Sequence, residues 1–211
     1  MKTKELYTED HIMFSRVLDR TQLRPTTSVK SKLDLINFMV ENDVNSKTFV
    51  EMGSYQGMTC YIMSHYFDKV IGLDIKIELA MDRFGDVDNI NFIQLDLYDK
   101  NFDPYNIASR SDFVFIDANH REKYCLHDVY NALKWKPKYI GFDDYGHPDT
   151  GISAAVDKLV KQGHLKIIKE IGHYNLLPAA GGDVKLNGPE AVICEVSNFK
   201  KIKTINKKWW E

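Results

Sequence analysis

The sequence predicts an α/β fold: a doubly wound sheet of seven strands, mostly parallel with an antiparallel last strand, and helices on both faces. Three observations lead there. From residue 48 onward, short β-rich runs alternate with segments that can turn helical, the pattern of βα units in a parallel sheet. Between the last two runs, Leu165–Ile171 and Ala191–Val196, stands only a glycine-rich loop, Ala179-Ala180-Gly181-Gly182-Asp183. No crossover helix fits there, so that pair is expected to be antiparallel. The stretch Phe49–Thr59, FVEMGSYQGMT, reads as strand, glycine turn, helix, which is how a nucleotide-binding βα unit opens.

The 211 residues suit one domain of ordinary size, and 44% hydrophobic with 27% charged residues is the balance of a soluble globular protein. A net charge of −2 supplies no global field toward nucleic acid or membrane, and neither is expected as a partner. The N-terminus has no apolar core of signal-peptide length, and no stretch approaches the ~18 apolar residues of a membrane span. The expected location is the cytoplasm. Self-association as a homo-oligomer is left open. Cys60, Cys125 and Cys194 are odd in number and widely spaced, and read as reduced packing thiols.

Taken in order, residues 1–46 read as an N-terminal helical cap. Arg24-Pro25-Thr26-Thr27-Ser28 is a turn with Ser28 as N-cap, and Val29–Val44 then sets Leu33, Ile36, Phe38, Met39 and Val40 at roughly helical spacing. Residues 47–199 form the core. Its first five strands are expected at Thr48–Glu51, Lys69–Asp74, Ile90–Asp96, Asp112–Asp117 and Tyr139–Asp143. Helices are expected at Met58–Phe67, Ile77–Phe84, Arg121–Lys134 and Thr150–Gln162. This is a Rossmann-like arrangement. Residues 200–211, basic with Trp209-Trp210, read as a solvated or packed tail rather than a nucleic-acid site.

The glycine turn is neither of the commonest nucleotide motifs. Tyr55 stands where the dinucleotide fingerprint has its second glycine, and no Gly-Lys-Ser/Thr follows as in a P-loop. By itself a Gly53-x-x-x-Gly57 pair is equally a turn with a packing glycine. Its context is more specific. The first five strand-like runs each end in an acid, Glu51, Asp74, Asp96, Asp117 and Asp143-Asp144, at intervals of 21 to 26 residues. In an open parallel sheet the ligand sits outside the carboxyl ends of the strands, so these acids share one rim. One or two would simply cap the following helices. A whole rim of like charges needs a cationic balance. Dinucleotides and nucleoside triphosphates bring anionic phosphates that such an edge repels. S-adenosyl-L-methionine brings a ribose diol, an adenine, an ammonium and a sulfonium, all of which suit carboxylates. On this reading Glu51 lies near the ammonium, Asp74 takes the ribose hydroxyls and Asp96 lies by the adenine. The loop residues Gly53, Ser54, Tyr55, Gly57 and Thr59, with Asp117, complete the cofactor set.

Two further segments carry chemistry: Phe113-Val-Phe-Ile-Asp117-Ala-Asn-His120 and Gly141-Phe-Asp143-Asp144-Tyr145-Gly-His147. Carboxylates from adjacent strand ends, Asp117, Asp143 and Asp144, can converge on one hard divalent cation. The oxygen-rich set favours Mg²⁺ over Zn²⁺. His120, three residues past Asp117, can reach the same mouth, and imidazole near neutral pH suits a general base. Tyr55 and Tyr145 are candidate pocket walls, and His147 is a weaker candidate than His120. The other histidines, His11 among them, read as structural or surface.

At these residues the chain resembles class I S-adenosylmethionine-dependent methyltransferases. Val50-Glu-Met-Gly-Ser-Tyr-Gln-Gly-Met-Thr59 is similar to the cofactor loop of the catechol and caffeoyl-coenzyme-A type. Phe115-Ile-Asp117-Ala-Asn-His120 followed by Asp143-Asp144-Tyr145 looks more like the macrocin and mycinamicin sugar O-methyltransferases. The resemblance spans roughly residues 48–160. It implies metal ligation by Asp117, Asp143 and Asp144, with His120 as base and Asp117 beside it in the catalytic set. It departs from the catechol-type pattern at Asp144, where that pattern has Asn, and the 1–46 segment has no counterpart.

The expected function is therefore methyl transfer from S-adenosyl-L-methionine to a hydroxyl of a small molecule, a sugar or polyhydroxylated product, assisted by Mg²⁺. Two rivals stay open. One is a metal-independent methyltransferase in which Asp117 and Asp143 bind cofactor or substrate. The other is a non-catalytic module that keeps the fold. A nicotinamide-dependent oxidoreductase is disfavoured by Tyr55 and the acidic rim.

Overall fold

The computed structural model describes residues 27–44, 47–174 and 188–197. Most of the expected N-terminal cap, the 179–183 loop, the 200–211 tail and His11 lie outside the described residues. The elements run α1 (Val29–Glu41), β1 (Thr48–Met52), α2 (Met58–Ser64), β2 (Lys69–Asp74), α3 (Glu78–Phe84), β3 (Ile90–Gln94), a 3₁₀ turn at Pro104–Asn106, β4 (Phe113–Ile116), α4 (Glu122–Lys134), β5 (Tyr139–Phe142), α5 (Ile152–Lys161), β6 (Leu165–Ile171) and β7 (Ala191–Val196).

The seven strands form one sheet in the order β3-β2-β1-β4-β5-β7-β6. The first five are mutually parallel, and β7 runs antiparallel to both β5 and β6. This is the predicted doubly wound, Rossmann-like sheet. The order reverses between β1 and β4, the switch point at which an open α/β sheet leaves its ligand crevice. Strand ends shift by a residue or two from the sequence reading. β3 stops at Gln94, so Asp96 lies in the following loop rather than at the strand end.

The side-chain alternation of strands assigns the two faces. Val50 and Met52 of β1, Val114 and Ile116 of β4, and Ile140 and Phe142 of β5 join the cluster with Cys125 and Val129 of α4 and Ala155 and Val156 of α5. Phe49, Phe113, Phe115 and Tyr139 point the other way, into the cluster formed by α1, α2 and α3. β4 and β5 are buried along their whole length, as expected for central parallel strands covered on both sides.

α1 belongs to this second layer. Its Leu33, Leu35, Ile36, Phe38 and Met39 are buried, each worth roughly 1.5–3 kcal/mol. The Phe38 ring meets Tyr139 edge-on with centroids 5.1 Å apart. Its N-cap is Ser28, whose hydroxyl accepts the Ser31 N–H at 3.1 Å. The same residue donates its backbone N–H to Glu190 Oε2 at 2.7 Å and its hydroxyl to Glu190 Oε1 at 2.5 Å. Glu190 immediately precedes β7 and is buried, so the helix start is tied to the last strand.

Candidate active site

The carboxyl ends of β1, β2, β4 and β5 and the loop after β3 open into one cavity of about 750 Å³. It is lined by Gly53, Tyr55, Asp74, Ile75, Leu95, Asp96, Leu97, Tyr98, Asp117, Ala118, Asn119, His120, Asp143 and Asp144. This is the size and mixed lining of a small-molecule site. A second cavity of about 40 Å³ shares Gly53, Tyr55 and Asp117 with it and reaches in toward Thr27, Lys32, Glu51, Ser54 and Thr59.

The loop after β1 holds its shape by backbone bonds. The N–H groups of Gly53 and Ser54 both donate to the Leu73 carbonyl, at 2.7 and 3.1 Å, and the Gly57 N–H closes onto Ser54 O at 2.7 Å. Gly53 has φ +91°, and a Cβ there would collide with the carbonyl of Asp117. Its absence lets β1 and β4 deliver their ends side by side. Gly57 lines neither cavity. A Cβ on it would press on Phe92 and Ala80, so it is a packing glycine that lets α2 lie against β3.

Asp74 ends β2, where its carboxylate accepts the Tyr55 N–H at 2.7 Å and the Lys76 N–H at 3.0 Å. It braces the glycine loop while facing the cavity. Asp96 accepts the Tyr98 N–H at 2.9 Å, and Tyr98 turns its hydroxyl to Asp128 at 3.0 Å. Ile75, Leu95 and Leu97 supply the apolar surface between these acids.

Glu51 does not line the large cavity. By strand alternation it shares the face of Phe49 and drops into the small cavity, where Cys60 Sγ donates to Oε2 at 3.0 Å. Burial pushes its carboxyl from 4.5 to about 7, against the opposing effects of the Cys60 bond and the Lys32 charge. The same cation acts on Asp117 and Asp143. Both carboxyls are pushed up, first by burial, and Asp143 further by Asp117.

His120 stands between two acids. Nδ1 is 3.0 Å from Asp144 Oδ2 and Nε2 is 3.4 Å from Asp117 Oδ1. The Asp117 bond raises the imidazole pKa above 6.5, and Asp144 adds to the rise. Asp144, at φ +56°, also accepts the Tyr174 hydroxyl at 2.5 Å, which pushes the phenol pKa up beyond the effect of burial. Tyr145 lies outside the cavity and donates to Asp157 at 2.8 Å. His147 Nδ1 accepts the Asp149 N–H at 3.2 Å.

The structure thus brings Asp74, Asp96, Asp117, His120, Asp143 and Asp144 to one cavity, with Glu51, Ser54 and Thr59 in its small annex. Among the described residues, no three or more His, Cys, Asp or Glu side chains are grouped so as to hold a metal ion. As the side chains stand, Asp117 and Asp144 are both engaged by the imidazole of His120. Tyr98, Tyr174 and Lys32 escape a sequence reading, as does the apolar wall of Ile75, Leu95 and Leu97. Only Lys32 leaves a signal, as a lysine on the apolar stripe Ser28-Lys32-Leu35-Ile36-Met39 of α1, where its Nζ donates to Thr59 Oγ1 at 2.9 Å.

No protein-family model matches the sequence, and no curated protein matches it. Solved structures do. The chain is similar to the O-methyltransferase TomG from Streptomyces achromogenes, involved in tomaymycin synthesis and solved in complex with SAM (13% identity, 90% of each chain covered, TM-score 0.58). It is similar to the O-methyltransferase from Bacillus cereus in complex with SAH (13% identity, 90% of each chain, TM-score 0.60). It is also similar to the N-methyltransferase NodS from Bradyrhizobium japonicum (12% identity, 94% of this chain and 100% of that one, TM-score 0.51). At these identities the likeness establishes the fold, which carries oxygen and nitrogen acceptors alike. No helix among the described residues is long and apolar enough to cross a membrane.

Proposed function

We propose that this protein transfers a methyl group from S-adenosyl-L-methionine to a hydroxyl of a small molecule, a sugar or other polyhydroxylated compound. The observation that carries the reading is the 750 Å³ cavity at the switch point, with His120 held between Asp117 and Asp144 at its mouth. The structural neighbours solved with SAM and SAH support the same cofactor.

When bound, the cofactor supplies an electrophilic methyl on a cationic sulfur. The chain's own part is positioning and proton transfer. Asp74 would take the ribose diol and Asp96 would stand by the adenine, for which Ile75, Leu95 and Leu97 would supply the apolar wall. Glu51 faces the amino-acid tail. Asp144 accepts from Nδ1–H of His120, which leaves Nε2 as the basic nitrogen. Nε2 takes the acceptor's hydroxyl proton, and Asp117, 3.4 Å away, stabilises the imidazolium that forms.

A second reading, transfer assisted by a divalent ion at Asp117, Asp143 and Asp144, is favoured by one observation: Asp143 is buried beside Asp117 and would be relieved by a cation. It requires the imidazole to leave its place between the acids.

Calorimetric titration with S-adenosylhomocysteine, with and without Mg²⁺, tests both. Micromolar binding is expected without the metal, followed by turnover on hydroxylated sugars or catechols. Binding or turnover only with Mg²⁺ selects the metal-assisted reading. No binding under either condition refutes methyl transfer and leaves a non-catalytic module.

A further inference from the structure

We infer that Lys32 is a specificity-determining residue: together with Ser54 it holds the carboxylate of an α-amino-acid tail, while Glu51 in the same small cavity takes that tail's ammonium. The inference rests on the S-adenosylmethionine reading. It goes beyond that reading by making the N-terminal helix, which carries no part of the glycine motif, the element that recognises the tail.

A lysine is rarely buried unless its charge is answered. Lys32 is 6% exposed. Among the described residues its ammonium has one acceptor, Thr59 Oγ1 at 2.9 Å, and it lies 5.7 Å from the centroid of the Phe115 ring. An ammonium carries three N–H donors, so two remain for a ligand. Ser54 is 5% exposed, and its hydroxyl has no hydrogen-bond partner among the described residues. Buried hydroxyls are normally paired, and this one lines the same cavity as Lys32. Two unfilled donors and an unfilled hydroxyl in one recess call for an anionic oxygen acceptor.

The charge balance narrows the ligand further. Glu51 lines the same recess, and burial holds its carboxyl well above the usual range while Lys32 draws it back. A lone anion would satisfy Lys32 but face Glu51 and Asp117, which line the same recess. A lone cation would do the reverse. A zwitterion satisfies both and leaves the net charge of the recess unchanged. At about 40 Å³ the recess exceeds the ~10–15 Å³ that one water needs and suits a compact headgroup. It opens beside Gly53, Tyr55 and Asp117, which it shares with the large cavity, so one ligand can place its tail here and its nucleoside there.

The test compares two probes by calorimetry: S-adenosylhomocysteine, which has the tail, and 5′-methylthioadenosine, which lacks it. Lys32→Met is expected to weaken S-adenosylhomocysteine on the order of 10- to 100-fold, the range for losing a charge-assisted hydrogen bond. Methylthioadenosine should bind as it does to wild type. Ser54→Ala, which removes one atom and leaves α1 intact, should show the same selectivity at roughly 3- to 10-fold, and Lys32→Arg should retain part of the affinity. Equal losses for both probes, or an unchanged affinity for S-adenosylhomocysteine in both Lys32→Met and Ser54→Ala, would overturn the assignment. Wild type that binds neither probe overturns the cofactor reading itself, an outcome visible before any variant is made.

Discussion

His120 Nδ1 and Asp144 Oδ2 stand 3.0 Å apart, although the two residues come from loops after neighbouring strands. On the proposed mechanism this contact holds Nδ1–H and leaves Nε2 to accept a proton. His120→Ala is expected to lower turnover by ~10²–10⁴ with little change in S-adenosylhomocysteine affinity. Unimpaired turnover in that variant removes His120 from the reaction.

The pH dependence follows from the same contacts. The carboxylates raise the imidazole above 6.5, and a base works deprotonated. The acid limb of kcat/KM should therefore lie above pH 6.5. Asp144→Asn removes negative charge, destabilises the imidazolium and should move that limb to lower pH. A pH–rate profile of the two proteins checks it, and a shift in the opposite sense contradicts the coupling of His120 to Asp144.

Asp74 serves the loop through the Tyr55 and Lys76 N–H groups and faces the cavity at once. Asp74→Ala is expected to lower both the melting temperature and S-adenosylhomocysteine affinity, the latter by roughly tenfold for a lost hydrogen bond to a charged group. A melting-temperature loss with unchanged affinity would confine Asp74 to bracing the loop.

Glu51 trades stability for its position. Its folded pKa of about 7 lies above the ordinary 4.5, so its favourable contribution is complete below pH 4.5 and is lost as pH rises to about 7. Glu51→Gln escapes that loss. Urea unfolding should find it more stable than wild type at pH 8, by up to roughly 3 kcal/mol from the size of the shift, and equal to it near pH 4. Its cofactor affinity should fall.

Gly53→Ala meets two obstacles together, φ +91° and the Asp117 carbonyl. A loss above about 2 kcal/mol is expected, measurable as a lower urea midpoint. A loss within about 1 kcal/mol would show that β1 and β4 can separate without penalty.

Much of this was legible in the sequence because strand periodicity and chain order determine so much of a parallel sheet. The acids after β2, β4 and β5 reach the rim because each closes a βα unit. The antiparallel β7 followed from the missing crossover helix. Glu51 shows where such reading ends: being one residue before the end of β1 turns it off the rim and into the α1 face, which depends on pleat rather than spacing. Lys32 and Tyr174 meet the site through tertiary packing of α1 and through the turn after β6. The place of Lys32 on the buried stripe of α1 hints at it, whereas nothing local to Tyr174 does. Gly53 lines both cavities, and its missing Cβ also makes room for the end of β4, which chain order does not show.

The place of β7 has a consequence for biosynthesis. The last strand is inserted between β5 and β6, and Glu190, at its threshold, anchors Ser28 at the start of α1. A ribosome delivering the chain from its N-terminus can release α1 early, but the partner that fastens it emerges some 160 residues later. Until then the central strand β5 keeps an open edge, and Lys32 has no fixed station beside Glu51. A chain ended at residue 187 should accordingly fail to retain S-adenosylhomocysteine in equilibrium dialysis, and retention would show that the anchor is dispensable. On the proposed reading the cofactor site therefore waits for β7, and until that strand emerges the nascent chain carries a gap in its sheet for a chaperone, or another chain's strand, to find.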